Sequence, residues 1–263
     1  MTGEHQVGIA GGSLYYRTQG AGPALVLVGG GPSNADTLDP LASHLACDFT
    51  VVTYDRRGYS RSRLDDPARP ASIAQHGDDV RRVIADLGAG PVSVFGTSIG
   101  ALIALDLAAS APAAIAALVV HEPPLRQVLT DAERAGFHVD LDSAPNATAA
   151  LDAIAASIGV SRGLAGEAAG ARPAARAADI EVFIRRDGPA VEDYHLDVGR
   201  LTPLSGRITV AGSREGRAFY PYQCAARLAA ILGTPLAELP GNHAGMIRQP
   251  AEFAAELRGL LLS

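Results

Sequence analysis

The chain has 263 residues, 48% of them hydrophobic and 19% charged, which excludes a disordered protein and leaves room for one well-buried domain, with or without an inserted subdomain. A net charge of -6 with no basic stripe excludes a nucleic-acid partner. All 22 basic residues are Arg, so a lysine Schiff base and a Walker-type phosphate loop are excluded as well.

Met1 to His5 carries no charged-then-apolar leader. No apolar run approaches the ~20 residues that would span a membrane, so a soluble, cytoplasmic protein is expected, with no membrane partner. Gly8 to Thr18 has a Gly-Gly centre between strand-like residues and reads as an opening hairpin. Six short apolar runs follow: 24–28, 49–54, 91–95, 115–120, 207–211 and 235–239. They lack alternation, as central parallel strands buried on both faces do. Helical patterns over 38–45, 76–87, 99–109, 224–232 and 250–262 separate them, and that rhythm predicts an α/β doubly wound sheet. One stretch breaks the rhythm. Residues 123–205 are too many for an ordinary crossover and contain Ala-rich helical segments at 147–157 and 179–186. They read as an inserted helical cap on a core formed by 1–122 and 206–263. Gly163 to Ala178 is Gly/Ala-biased and reads as a flexible connection within it. Cys47 and Cys224 lie far apart and are expected as two buried free thiols.

The strongest chemical signal is Gly96-Thr97-Ser98-Ile99-Gly100, a G-x-S-x-G pattern where a strand gives way to a helix. A serine on so tight a turn points its hydroxyl out of the sheet end. Side chains two residues away on either side would collide with the turn, hence the glycines. The helix that starts at Ile99 aims free N–H groups at a developing oxyanion. Gly29-Gly30-Gly31-Pro32, directly after the first central run, would supply the second donor, so Gly31 and Ile99 are the candidate oxyanion hole. A phosphate cradle would need G-x-G-x-x-G spacing, which this loop lacks.

Of seven histidines, His243 alone follows the last strand-like run and precedes the closing helix, on the sheet edge that carries Ser98. It is the candidate general base. His121, at the end of a buried run, is expected to point the other way and to be structural. Two carboxylates compete for the acid. Glu122 leaves a buried strand, where an ionised carboxylate needs a partner such as a triad histidine. Glu215 sits between Arg214 and Arg217 in a surface-like loop. Glu122 is favoured, and Glu215 stays as the alternative; both keep the order Ser, acid, His along the chain.

With the stretch Tyr54-Asp55-Arg56-Arg57-Gly58-Tyr59-Ser60, these segments resemble the α/β-hydrolase superfamily over essentially the whole chain. The resemblance implies the α/β-hydrolase fold, a mostly parallel sheet flanked by helices with the cap between the superfamily's strands six and seven. It also implies that Asp55 belongs to a structural turn and is not catalytic. His121-Glu122-Pro123 looks like the branch that holds the fungal zearalenone lactonases and related actinobacterial α/β hydrolases, in which the acid is a Glu after the sixth strand. With 5% aromatic residues and no Trp, the residues that recognise the fungal lactone have no counterpart in view.

The expected function is therefore a serine hydrolase of small apolar carboxylic esters or lactones, acting through Ser98, His243 and Glu122 and an acyl-enzyme. No cofactor and no metal are called for, and a homodimer is a possible assembly. Two other classes stay open: a natural-product tailoring enzyme (dehydratase, cyclase or isomerase) reusing the same site, and a non-catalytic small-molecule receptor.

Overall fold

The computed structural model describes residues 2–136, 144–160 and 173–262. Strands β1 (Thr2–Ile9) and β2 (Gly12–Gly20) form the opening hairpin, longer than its Gly-Gly centre suggested. Its turn residues Gly11 and Gly12 take positive φ of 80° and 157°. The parallel strands follow: β3 (Ala24–Val28), β4 (Thr50–Tyr54), β6 (Val92–Thr97), β7 (Ile115–His121), β8 (Ile208–Ser213) and β9 (Leu236–Leu239). A two-residue strand, β5 (Arg63–Leu64), pairs with β2. The sheet order is β1-β2-β4-β3-β6-β7-β8-β9, antiparallel only at the hairpin end. This is the α/β-hydrolase fold, and every apolar run read from the sequence is one of its strands. Setting the tiny β5 aside, β7 is the sixth main strand and β8 the seventh.

Alternation within each strand feeds two cores. Val26 and Val28 face α2 (Ile73–Asp86), α3 (Ile99–Ser110) and α8 (Tyr220–Leu232), while Leu25 and Leu27 face α1 (Asp39–Leu45) and α10 (Pro250–Leu262). Burial on both faces explains why β3 reads as an unbroken apolar run. Helix α2 starts before the expected His76 because Ser72 and Gln75 form a reciprocal capping box. Helix α8 starts before Cys224 because Pro221 is tolerated in a first turn, where its missing N–H costs nothing.

Between β7 and β8 come α4 (Asp131–Gly136), α5 (Ala147–Ser157), α6 (Pro173–Val182) and α7 (Gly188–Glu192), with a π-helical turn, Phe183–Asp187, joining the last two. Helix α5 matches the expected segment. The expected helix over 179–186 is instead the end of α6 running into the π turn. The proposed flexible connection, Gly163 to Ala178, lies outside the described residues as far as 172, and from Pro173 onward the chain is helical. A short α9 (Gly245–Arg248) precedes α10. Cys224 is buried and free as expected, but Cys47 is exposed, because it follows the end of α1 beside Asp48 and Arg258 rather than on the buried face. Among the described residues, no helix is long and apolar enough to cross a membrane.

Candidate active site

Ser98 stands between β6 and α3 with φ 56° and ψ -127°, a conformation that costs a non-glycine residue about 1–3 kcal/mol and persists only when the surroundings enforce it. Three features enforce it here. Its N–H donates to the His121 carbonyl at 3.0 Å. A Cβ on Gly96 would lie 2.4 Å from the Gly100 oxygen, and one on Gly100 would lie 2.1 Å from the Val28 oxygen. Both glycines are thus required by close backbone approach: Gly96 by the turn itself, as expected, and Gly100 by the end of β3 rather than by the turn. The Gly29–Pro32 loop crosses directly above: a Cβ on Gly30 would meet the Ser98 Cβ at 2.8 Å. Gly31 holds φ at +45° and lines one cavity with Ser98 and His243. Ile99 is the first residue of α3, so its N–H lies among those with no acceptor inside the helix.

Glu122 follows the last residue of β7 with φ +47°. Its N–H donates to the Ala211 carbonyl at 2.9 Å, which folds the chain back toward β8. The carboxylate is buried. Oε1 accepts the Ser213 N–H at 2.8 Å, and Oε2 accepts from His243 Nδ1 at 2.5 Å. Burial alone would raise the pKa of this carboxyl. The His243 contact, together with His121 and the Ser213 N–H, outweighs burial and holds the pKa at about 2. Gly216 makes the space, since a Cβ there would stand 2.6 Å from Oε1.

His243 lies in the loop after β9, buried, with Nδ1 committed to Glu122. A proton on Nδ1 leaves a lone pair on Nε2. That atom is buried and has no hydrogen-bond partner among the described residues. Ser98 and His243 therefore share a cavity without being bonded to each other. Leu38, Met246 and Ile247 wall it, together with Leu151, Ile154 and Phe183 from the stretch between β7 and β8.

Glu215 is exposed in the loop after β8, where its N–H donates to the Gly241 carbonyl, while His243 Nδ1 is held by Glu122. Asp55 is fully buried and accepts the Ala35 and Arg61 N–H groups and the Arg61 guanidinium, as expected of a turn residue. His121 does not turn away from the site. Its ring centre lies 6.0 Å from that of His243. The left-handed Glu122 breaks strand alternation, so two successive side chains reach the same place. Both His121 nitrogens are engaged, Nδ1 with Thr97 Oγ1 and Nε2 with Ser213 Oγ, each at 3.0 Å. Sequence reasoning missed Ser213, which touches both Glu122 and His121. Ser213 is the last residue of β8, and the signal for it is a serine at the strand end beside the candidate acid loop.

Burial pushes the His121 pKa down to about 4, against the attraction of Glu122, from about 6.5 in an unfolded chain. Its folded pKa is depressed, so its full contribution to stability holds above about pH 6.5 and is lost as pH falls toward 4. The slope in that window is at most about 1.4 kcal/mol per pH unit. The His121→Gln variant is expected to show a flatter decline of urea midpoint across the window, whatever its stability at neutral pH. An unchanged slope would contradict the assignment.

A family profile described as alpha/beta hydrolase fold matches residues 23–164. The chain is 34% identical over 261 residues to the uncharacterized hydrolase YraK of Bacillus subtilis (strain 168), covering 96% of this chain and 94% of that one. Two solved structures are similar in fold. One is Est816, described as an N-acyl homoserine lactone degrading enzyme, with TM-score 0.70, 21% identity, and coverage of 97% of this chain and 99% of that one. The other is the carboxylesterase CesB (YbfK) from Bacillus subtilis, with TM-score 0.74, 18% identity, and coverage of 99% and 92%. Because the family profile matches more than half of the chain and a relative aligns with it almost end to end, the chain belongs to the α/β-hydrolase family.

Proposed function

We propose that the protein is a serine hydrolase of carboxylic esters or lactones, with Ser98 as nucleophile, His243 as general base and Glu122 as the acid that orients it. The observation that carries this reading is the buried Glu122–His243 contact, which leaves Nε2 without a partner on a histidine that lines the same cavity as Ser98. Hydrogen bonds of this kind are often long or absent before substrate arrives and tighten in the complex.

The chemistry follows from the geometry. His243 Nε2 takes the Ser98 proton as Oγ attacks the carbonyl carbon. The Gly31 and Ile99 N–H groups donate to the oxyanion, where a single donor is typically worth ~10²–10³ in rate. The imidazolium, stabilised by Glu122, returns its proton to the leaving alkoxide. Water then attacks the acyl-enzyme under the same base. For a lactone, the leaving oxygen stays attached to the acyl chain, and the ring opens. No step calls for a cofactor or a metal. Residues 123–205 act as a cap in this reading: Leu151, Ile154 and Phe183 come from it, and such walls exclude water and favour an apolar acyl group. The N-acyl homoserine lactone degrading enzyme and the carboxylesterase named above agree with this substrate class. Kinship with the zearalenone lactonase branch rests on the acid itself, a Glu directly after the sixth main strand.

The test is turnover of short and medium p-nitrophenyl esters and a panel of lactones in heavy-oxygen water. One labelled oxygen is expected in each acid product. Inertness toward every ester and lactone, with an isomer or dehydration product formed from some other compound, would overturn the reading.

A further inference from the structure

We propose that Arg56 is a positioning residue for the oxyanion step, clamping the Gly29 and Gly31 carbonyls so that the intervening peptide presents the Gly31 N–H to the cavity, with Asp187 of the inserted segment anchoring the clamp. This inference rests on the serine-hydrolase reading above.

Three consecutive glycines are a poor platform for a donor that must be aimed, since glycine has the widest backbone freedom of any residue. The turn formed within the loop is closed by Ser33 N–H on the Gly30 carbonyl at 3.0 Å, which leaves the carbonyls on either side of the Gly30–Gly31 peptide to be fixed from elsewhere. Arg56 fixes both. Nη1 donates to the Gly29 carbonyl at 2.9 Å, and Nη2 donates to the Gly31 carbonyl. The arginine reaches them because β4, which it follows, lies beside β3 in the sheet. Nε points the other way and donates to Asp187 Oδ2 at 3.0 Å. A planar fork with donors on three sides is a property of guanidinium that an ammonium does not share.

The anchor is itself held. Asp187 is fully buried, and it accepts from Tyr59 Oη at 2.7 Å and contacts His76 Nε2 at 3.2 Å. The Tyr59 ring lies 4.4 Å from the guanidinium carbon. Asp187 ends the π turn whose first residue, Phe183, lines the substrate cavity. Such turns cost regular helix geometry and recur at functional positions. One short turn thus shapes the cavity and, through Arg56, the loop that would bind the oxyanion. Because Asp187 balances its charge, the guanidinium can sit buried beneath the loop rather than be drawn toward solvent.

The experiment compares Arg56→Lys and the double variant Arg56→Met/Asp187→Asn, which avoids stranding a buried carboxylate, with the wild type. Active sites are titrated with a fluorophosphonate. Then kcat and KM on a p-nitrophenyl ester are measured per titrated site. Affinity is measured for a trifluoromethyl ketone, which forms a hemiketal oxyanion on the serine, and for the matching alcohol, which does not. Expected is a fall in kcat of ~10²–10³, the cost of one oxyanion donor, with KM little changed. Ketone affinity should fall in parallel while alcohol affinity holds. If the double variant does not fold, Asp187→Asn alone should give the same pattern at about tenfold, the loss of one charge-assisted bond. Unchanged kcat per titrated site would overturn the inference, as would equal weakening of ketone and alcohol, which marks a merely structural role. A wild type whose turnover does not depend on Ser98 would instead overturn the underlying reading.

Discussion

Replacing Ser98 by Ala is expected to lower kcat on a p-nitrophenyl ester by ~10⁶, because a nucleophile and base that act as one unit lose nearly everything when either is removed. A residual rate ~10³–10⁴ above the uncatalysed reaction should survive, supplied by the oxyanion donors and by binding alone. Affinity for the intact ester should move little, since Oγ bonds the substrate only once attack begins. The fold should be intact. Ser98 donates from its backbone to His121, a bond that alanine keeps, and Gly96 and Gly100 still enforce the turn. The check is steady-state kinetics beside a thermal melt. A folded variant that retains a sizeable share of wild-type turnover would remove Ser98 from the chemistry.

The Glu122→Gln variant is expected to lose ~10⁴ in kcat, the cost seen when a triad carboxylate becomes an amide. Glutamine fills the same space and can still accept the Ser213 N–H. Its amide can, however, present a donor to His243 Nδ1, which favours the tautomer with the proton on Nε2, where it cannot take the serine proton. Glu215→Gln should do little, because that side chain is exposed and His243 is already held by Glu122. The reverse ranking in kcat would exchange the two roles. A stability signature accompanies the kinetic one. Burial would raise the pKa of the Glu122 carboxyl, but the His243 contact outweighs burial and holds the carboxyl at about 2, against about 4.5 in an unfolded chain. Its contribution is fully present above that unfolded value and is lost as pH falls toward 2, so the variant should show a shallower acid decline in that window.

The legible parts of the molecule were those that short-range physics dictates. Gly96 could be assigned from the sequence because a five-residue turn with a forward-pointing serine admits no Cβ there, whereas Gly100 is required by the close approach of the Val28 carbonyl on β3, a tertiary contact that the pattern marks without explaining. The parallel strands could be read because burial on both faces leaves a contiguous apolar run. Glu122 could be narrowed to one of two carboxylates by asking which would be buried, but its reach to His243 depends on φ +47°, which no residue pattern announces at a glutamate. The same kink turned the expected orientation of His121 around. Ser213, Arg56 and Asp187 were illegible for a different reason. Their partners stand far away in the chain, Arg56 on Asp187 and Ser213 on Glu122, and single-residue context says nothing about pairings made by tertiary closure. The π turn is illegible because its residues read as the continuation of a helix.

The central claim is a covalent bond between Ser98 and the acyl group. Wild-type protein mixed with a p-nitrophenyl ester, quenched in acid at successive times and mapped by peptide mass, tests it directly. One acyl group is expected on the peptide that contains Ser98, rising within the first turnover and disappearing as ester is exhausted. Full turnover with no acylated Ser98 at any quench time, or with the acyl group on another residue, would contradict it.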